Sequence, residues 1–314
     1  MPGSRYQKEN MADIRKKRIG VLAGGPSNER EISLKSGTAV YRALIDEGLN
    51  AIFLDVKDDI CDIIKKNKID VAFIALHGRF GEDGTVQKML EELKVPYTGS
   101  GIEASERALD KIKSKEIFLK YGLSVPKYLV MGKGMAIPPV ETLGWPIVVK
   151  PPLEGSSIGL SIVNSVPALE EAIEKAFKFD SRVLLEEYID GRELTVGILD
   201  DKPLPVIEIV PKNKVYDYEA KYKSPDTEYL VPAPLEKAVS LKAQKLAWAA
   251  HMALGCRSMS RVDIMADKDS NLFILEVNTI PGMTERSLLP KAAGAVGMTF
   301  GKLCRKLVES VYGQ

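Results

Sequence analysis

Three oxygen-bearing side chains lie near the ends of two short stretches in the last fifth of the chain. Glu276 and Asn278 are two residues apart in "NLFILEVNTIPG", and Asp263 follows Arg261 by two residues in "SRVDIMAD". Side chains two apart on a strand share one face, so each stretch would present its polar pair together. Two carboxylates and an amide oxygen suit Mg²⁺, which is usually completed by water and substrate phosphates. The alternative is a polar patch across two strands, with Arg261 as the salt-bridge partner of the acids.

The segment between these stretches decides whether the two acids meet. "DKDSN" (Asp267–Asn271) has the composition of a turn, which predicts a hairpin centred near Asp269. Such a hairpin sets Asp263 within one residue of the position opposite Glu276. With both strands considered together, the sequence favours a metal site over a polar patch. Strict alternation along the second strand predicts a core face made of Phe273, Leu275 and Val277, and a polar face that carries Leu272, Ile274, Glu276 and Asn278.

A glycine- and serine-rich loop, "VVKPPLEGSSIG", is the natural place for phosphates near such a metal. Lys150 ends an apolar strand, and Gly155, Ser156, Ser157 and Gly159 follow it. Glycine lets backbone amides approach phosphate oxygens, and serine hydroxyls add donors. The loop matches neither the P-loop nor the dinucleotide pattern, and many such loops are only turns. Lys111 in "LDKIKSK" is a further candidate cation, although most helical lysines are solvated.

Two more segments have compositions that suggest ligand contact. Paired glutamates in "LLEEYIDGRE" (Leu184–Glu193) lie where a linker between two sheets would fall, and could accept hydrogen bonds from nucleotide hydroxyls or simply face solvent. Residues 215–234 contain four tyrosines and few aliphatic side chains. About 20 residues without a core pattern are seldom idle in a compact domain. We expect a lid over the substrate with Lys221 and Tyr222 at its tip.

The spacing of apolar residues predicts the helices and strands that must position these side chains. Short apolar runs alternate with helical patterns between residues 18 and 100, which predicts a parallel sheet with right-handed crossovers. Ligands of such sheets lie beyond the carboxyl ends of the strands, here "AGGPSNERE" and "LHGRFGEDG". We therefore predict an α/β protein with a flexible extension at residues 1–17 and three domains, at residues 18–100, 101–187 and 188–314.

Composition narrows the class of function. The 44 basic and 43 acidic residues leave no global field to attract nucleic acid or a membrane surface. No apolar run reaches the roughly 20 residues that span a bilayer, and no apolar secretory segment begins the chain. The three cysteines, Cys61, Cys256 and Cys304, have no metal or redox spacing. These features predict a cytoplasmic globular protein.

The blocks taken together closely resemble the D-alanine–D-alanine ligase family of the ATP-grasp superfamily. The superfamily resemblance depends on Lys150, the "EEYI" segment, Asp263, Glu276 and Asn278. The narrower resemblance depends on "GGPSNEREISLKSG", "HGRFGEDG", "YDYEAKY" and "PGMTERSLLP", and it extends from about Arg18 to the end of the chain. Departures at Pro26, Ser258 and Arg286 touch no matched catalytic position. The resemblance implies a three-domain ATP-grasp architecture.

This resemblance implies a reaction in two steps, for the synthesis of a peptidoglycan precursor. ATP phosphorylates the carboxylate of one D-alanine, and the amine of a second D-alanine displaces phosphate. In the family, the residues that match Arg261 and Gly282 stabilise the oxyanion of the tetrahedral intermediate. The resemblance implies two Mg²⁺ ions, which Mn²⁺ can replace, and it implies Asp263, Glu276 and Asn278 as their ligands. The implied ATP contacts are Lys111, Lys150, Ser157, Glu186, Glu187, Tyr188, Ile189, Glu193 and Lys221.

The amino-acid contacts follow in the same way. Glu29 matches the acid that holds the first ammonium, and Ser156 and Tyr222 match residues hydrogen-bonded to it. His77 matches a histidine near the first substrate, while Ser287 and Leu288 match the contacts of the second. The family suggests a homodimer. Three alternatives fit the sequence less well. They are a D-alanine–D-lactate ligase, disfavoured by Tyr222; a catalytically silent nucleotide-binding homologue, disfavoured by the complete set of matched residues; and a dinucleotide oxidoreductase, disfavoured by the lack of GxGxxG.

Overall fold

A computed structural model describes residues 14–57, 60–211 and 227–312 of the chain. Its first element is a 3-10 helix, Ile14–Lys16, whose Ile14 side chain is only 1% exposed and packs into a hydrophobic cluster with the first strand. The predicted extension at residues 1–17 is therefore wrong for its last residues, because burial of Ile14 anchors them to the first unit. No helix of the described ranges is both long and apolar enough to cross a membrane.

The first unit is the predicted parallel sheet. Three strands pair in the order β2-β1-β3, all parallel, and helices connect them. The carboxyl ends of β1 and β3 open into the two glycine-rich loops singled out above, so both loops lie at one edge of the sheet. The elements are β1 (Ile19–Gly24), α1 (Arg30–Asp46), β2 (Ala51–Val56), α2 (Ile60–Lys66), β3 (Val71–Ile74) and α3 (Thr85–Glu92).

A four-stranded antiparallel sheet forms the centre of the chain, in the order β4-β7-β5-β6. Two helices precede it, and one helix connects its last two strands. The Gly/Ser loop joins β5 to β6, and Lys150 is the last residue of β5, as predicted. The elements are α4 (Ile102–Leu109), α5 (Lys111–Lys120), β4 (Tyr128–Gly132), β5 (Ile147–Lys150), β6 (Ser161–Val163), α6 (Val166–Ala176) and β7 (Arg182–Glu187).

The third sheet is antiparallel in the order β11-β10-β8-β12-β13, with β9 paired to β8. The chain passes from β7 of the central sheet to β8 of this sheet through residues 188–190, so the predicted linker between two sheets is confirmed. The elements are β8 (Gly191–Leu199), β9 (Lys202–Pro203), β10 (Ile207–Val210), β11 (Glu228–Leu230), α7 (Lys237–Leu254), β12 (Met259–Asp267), β13 (Leu272–Asn278), α8 (Leu288–Gly294) and α9 (Phe300–Ser310).

Packing connects the three units more closely than their order in the chain suggests. Ala104 and Phe118 of α4 and α5 share a core with Val262 of the third sheet, and Leu303 of α9 shares one with Leu44 of α1. Helices that precede the central sheet in sequence therefore pack on the third sheet, and the final helix packs on the first unit. The division into domains at residues 101 and 188 remains a prediction.

The predicted lid is partly corrected by a short strand. Lys221 and Tyr222 lie outside the described residues. Glu228–Leu230, which the prediction placed inside the lid, is the edge strand β11, and Tyr229 pairs with Ile209 of β10. The pairing of three residues was missed because so short a strand shows no alternating pattern in the sequence.

Candidate active site

Two cavities meet between the three units. The first, of about 440 Å³, lies between the central and third sheets. The second, of about 540 Å³, is lined by loops of the first unit, the Gly/Ser loop and the segment between β13 and α8. Lys111 and Glu276 line both cavities. A group that moves from a ligand in one cavity to a ligand in the other would therefore pass beside this lysine and this carboxylate.

The hairpin of β12 and β13 brings the predicted metal ligands together. Asp263 lies opposite Glu276, and Arg261 lies opposite Asn278, which confirms the predicted register. The pairing shifts between Asp263 and Ile264, so the second strand bulges by one residue. Both acids thereby reach the cavity edge from neighbouring strands.

The bulge also corrects the predicted faces of β13. Ile274 and Val277 are both buried in the core of the third sheet, whereas Leu275 lines the first cavity beside Glu276. Strict alternation had placed Leu275 in the core and Ile274 on the polar face. One extra residue reverses the alternation, and no turn residue in the sequence marks its position.

Each of the three predicted ligands has a partner that holds it in place. Asp263 accepts two hydrogen bonds from Arg261, Nε to Oδ1 at 2.9 Å and Nη2 to Oδ2 at 2.7 Å. The hydroxyl of Thr195 donates to Asp263 Oδ1 at 2.7 Å. Glu276 Oε2 lies 3.1 Å from Lys111 Nζ, and Asn278 Oδ1 accepts from the backbone N–H of Ile280 at 2.9 Å. The arginine and lysine place positive charge against both acids, as a bound cation would.

Lys111 is buried and connects the hairpin to the Gly/Ser loop. Its ammonium donates to the backbone carbonyl of Glu154 at 2.8 Å and pairs with Glu276. Burial acts against its charge, but the carboxylates of Glu276, Glu82 and Glu186 outweigh burial and raise the pKa of Lys111. The alternative in which Lys111 lies on a solvated helix face is therefore wrong, and this lysine is a fixed cation between the cavities.

A buried ion triad lies below the first cavity. Glu186 is 2% exposed, with Oε2 2.7 Å from Lys150 Nζ and Oε1 2.8 Å from Lys115 Nζ. Burial alone would raise the pKa of Glu186, but the two ammonium groups lower it overall. Each oxygen of Glu186 thus faces a lysine. This arrangement favours a role for Glu186 in holding Lys150 over the predicted contact with nucleotide hydroxyls.

The other predicted nucleotide residues that the structure describes line the same cavity, whereas Lys221 lies outside the described residues. Glu187 is the last residue of β7, Tyr188 and Ile189 follow it, and Glu193 lies on β8. Glu187 accepts from the backbone N–H of Lys127 at 2.7 Å. Apolar side chains from both sheets and from the end of the Gly/Ser loop complete the walls, namely Val148, Leu160, Ile162, Met265 and Leu275. A cavity with apolar walls and cations at one end suits a flat base linked to phosphates.

The second cavity collects the predicted amino-acid contacts from distant parts of the chain. Glu29 is buried after β1, and Ser156 donates a hydrogen bond to its carboxylate. His77 Nε2 is hydrogen-bonded at 3.0 Å to Ser36, whose hydroxyl also accepts from the backbone N–H of Met283. The lining is completed by Arg261, Gly282, Ser287 and Leu288. A buried carboxylate suits an ammonium, and the serine and arginine suit a carboxylate.

The Gly/Ser loop is bound to the first unit at two points. Ser156 and Ser157 have φ values of +51° and +59°, a left-handed conformation that non-glycine residues rarely adopt. Ser156 contacts Glu29, and Arg79 Nη2 lies 3.1 Å from Glu154 Oε1 and 3.1 Å from the carbonyl of Phe179. No local pattern marks Arg79, Thr195, Ser36 or Lys115, because each acts through a contact with a residue far away in the sequence.

Comparison with known proteins gives one consistent result. A family profile described as "D-ala D-ala ligase C-terminus" matches residues 117–309, and one described as "D-ala D-ala ligase N-terminus" matches residues 57–100. A curated D-alanine--D-alanine ligase from Citrifermentans bemidjiense is 47% identical over 298 residues, which is 95% of this chain and 97% of the relative.

A second curated D-alanine--D-alanine ligase, from Syntrophotalea carbinolica, is 48% identical over 94% of this chain and 96% of the relative. The crystal structure of D-alanine--D-alanine ligase from Bacillus anthracis complexed with ATP superposes with a TM-score of 0.83. It is 36% identical in sequence, over 95% of this chain and 98% of that chain.

Proposed function

The chain belongs to the D-alanine–D-alanine ligase family, and we propose that its two cavities divide one reaction, the ATP-dependent joining of two D-alanine molecules. Its architecture is that of the ATP-grasp proteins. The observation that carries the proposal is the shared wall formed by Lys111 and Glu276. Nucleotide and amino acid bound on either side of that wall would bring a phosphate and a carboxylate together.

ATP occupies the cavity between the central and third sheets. Its adenine lies between the apolar side chains of the two sheets, and the main chain of Tyr188 and Ile189, which line the cavity, offers donors and acceptors to the base edge. Its phosphates point toward Lys150, Lys111 and the Gly/Ser loop. Phosphoryl transfer needs alignment and charge neutralisation more than covalent help, and these groups provide both.

Asp263, Glu276 and Asn278 fit a divalent metal. Two carboxylates and an amide oxygen lie on adjacent strands, with Asp263 opposite Glu276, and the acids already face Arg261 and Lys111. Oxygen ligands of this type hold Mg²⁺, and Mn²⁺ can take the same ligands. A bound metal would neutralise charge on the transferring phosphate. Two ions are proposed on the strength of the family resemblance.

The first D-alanine is held in the second cavity. Glu29, supported by Ser156, accepts the substrate ammonium, and His77 borders the same pocket. The carboxylate then points toward the shared wall. One of its oxygens attacks the terminal phosphorus of ATP, the bond from that phosphorus to ADP breaks, and D-alanyl phosphate forms. Phosphorylation converts a poor leaving oxygen into a good one.

The second D-alanine enters beside α8. Ser287 takes its carboxylate, together with the start of the helix at Leu288. The Ser287 hydroxyl is fixed by the backbone N–H of Thr284 at 3.1 Å and by the hydroxyl of Thr284 at 2.9 Å. After loss of a proton, the amine attacks the acyl carbon, and the C–O bond to phosphate then breaks. Arg261, held by Asp263, and the backbone of Gly282 stabilise the intermediate oxyanion.

The product identity is the direct test. The chain is incubated with ATP, Mg²⁺ and D-alanine, and in parallel with added D-lactate, and phosphate release and product mass are measured. We expect one phosphate for each D-alanyl-D-alanine, and the dipeptide as main product in both samples. Release of phosphate with D-alanyl-D-lactate as main product would establish the lactate ligase instead, and absence of any product would establish a silent nucleotide-binding homologue. A homodimer is proposed from the family resemblance and is tested by sedimentation.

A further inference from the structure

Lys115 is the most deeply buried charged side chain near the nucleotide cavity, and the mechanism above gives it no role. It lies on α5 one turn after Lys111 and is 0% exposed. Lysine is almost never fully buried unless its ammonium is paired. Its Nζ lies 2.8 Å from Glu186 Oε1 and 5.5 Å from the centre of the Tyr128 ring. These contacts fix the ammonium behind Glu186, on the side away from the cavity.

The charges in this cluster are unequal. Glu186 is one carboxylate between two lysines, because its other oxygen lies 2.7 Å from Lys150 Nζ. The triad therefore carries a net charge of about +1 when all three groups are ionised. The neighbouring cation Lys111 differs in that it faces a carboxylate of its own, Glu276. Without Lys115, Lys150 would also face a carboxylate one to one, and its charge would be largely cancelled.

We propose that Lys115 is a positioning residue for nucleotide binding, which occupies one oxygen of Glu186 so that Lys150 keeps its positive charge for the phosphates of ATP. The inference depends on the proposed assignment of ATP to this cavity. Lys115 acts through Glu186 and does not touch the nucleotide. In a buried site of low dielectric, one additional unit charge behind the phosphate-binding lysine changes the local potential far more than a surface charge would.

Substitution of Lys115 by methionine tests this role, because it removes the charge and retains most of the side-chain volume. Lys113→Met is the matched control, since Lys113 is an exposed lysine on the same helix. Calorimetry gives the affinity of each protein for ADP and for adenosine, and steady-state assays give kcat and the KM for ATP. Adenosine fills the base and ribose positions without any phosphate, so it reports on the shape of the cavity alone.

We expect Lys115→Met to weaken ADP binding and raise the KM for ATP roughly ten- to hundredfold, the order expected for loss of one unit charge several ångströms away at an effective dielectric constant of about 20. Adenosine affinity and kcat should match the wild type, and Lys113→Met should match it in every measurement. Equal weakening of ADP and adenosine would show that Lys115 only supports the fold of the cavity and would overturn the inference. Unchanged ADP binding would also overturn it.

A second variant keeps the test decisive if Lys115→Met does not fold. Lys115→Met combined with Glu186→Gln removes one positive and one negative charge, so Lys150 again carries the net charge of the cluster. Glu186 lines the cavity, so the ADP affinity of this double variant is compared with its own adenosine affinity. We expect the ratio of the two affinities to match that of the wild type, and a ratio lower by roughly tenfold or more, or undetectable ADP binding, would contradict the inference. Failure of the proposed function is a separate result, in which the wild type itself binds no ADP and forms no dipeptide.

Discussion

The two cavities hold their polar groups by different means. Around the nucleotide cavity, carboxylates pair with buried lysines at 2.7–3.1 Å, as in Lys150–Glu186 and Lys111–Glu276. In the amino-acid cavity, Glu29, His77 and Ser287 are held chiefly by the hydroxyl groups of Ser156, Ser36 and Thr284. A lost partner leaves an uncompensated buried charge in the first case and removes a single hydrogen bond in the second. Substitutions should therefore be far more damaging around the nucleotide cavity.

The largest effect is expected for Glu186→Gln. This variant keeps the shape of the side chain but leaves Lys115 and Lys150 facing a neutral amide. Breaking a buried ion pair in this way costs about 3–5 kcal/mol of unfolding free energy. Denaturant unfolding of the variant and of Glu170→Gln, an exposed acid on α6, measures the difference.

The destabilisation caused by Glu186→Gln should depend on pH, and the pKa of Glu186 sets the direction of that dependence. The lysines hold the pKa of Glu186 below its ordinary value of 4.5, so the ion triad stabilises the fold fully above that pH. The stabilisation is lost as the pH falls through the lowered pKa. The difference between wild type and Glu186→Gln should therefore shrink in acid. A difference below 1 kcal/mol at neutral pH, on the order of a surface pair, would mean that the triad is not a buried ionic cluster.

The next largest effect is expected at Arg261, where the two cavities adjoin. Arg261→Ala removes a proposed oxyanion donor and the bidentate partner of Asp263. Loss of one such donor typically lowers turnover by about 10²–10³. Steady-state kinetics should show the loss in kcat, and Arg261→Lys should recover part of it by keeping the charge without the two parallel bonds. A change confined to the KM for ATP would show that Arg261 does not act in the chemical step.

The smallest effect is expected for Ser156→Ala in the amino-acid cavity. The variant removes one hydroxyl that donates to Glu29, and such a hydrogen bond contributes about 0.5–1.5 kcal/mol, or roughly two- to tenfold in an equilibrium. The KM for the first D-alanine should rise by that factor, while ADP affinity should not change. A hundredfold rise in this KM would show that the hydroxyl of Ser156 contributes as much as a charged group. The proposed difference between the two cavities would then be wrong.

The sequence predicted best where function follows from strand register. Asp263 and Glu276 could be placed opposite each other because a turn of recognisable composition sits between them. The bulge that sends Leu275 to the cavity and Ile274 to the core could not be predicted, because packing on neighbouring strands and not local sequence selects its position.

Contacts between residues that are distant in the chain could not be predicted from sequence patterns. Lys115 looks like any lysine of a helix, and only its position one turn after Lys111 indicates that it shares a buried face. The strand Glu228–Leu230 was missed because three residues give no periodicity. The resemblance supplied Glu29 and Ser156 as partners, and their contact across 127 residues follows from packing of the first unit on the Gly/Ser loop.

The fate of one oxygen atom tests the central claim that a phosphate and a carboxylate meet at the wall shared by the two cavities. D-alanine labelled with ¹⁸O in its carboxylate is incubated with the chain, unlabelled ATP and Mg²⁺, and the released phosphate is analysed by mass. If the carboxylate attacks ATP, one carboxylate oxygen leaves with phosphate, so each phosphate should carry one ¹⁸O from fully labelled substrate. Dipeptide formed together with unlabelled phosphate would show that ATP is cleaved by water and would contradict the account.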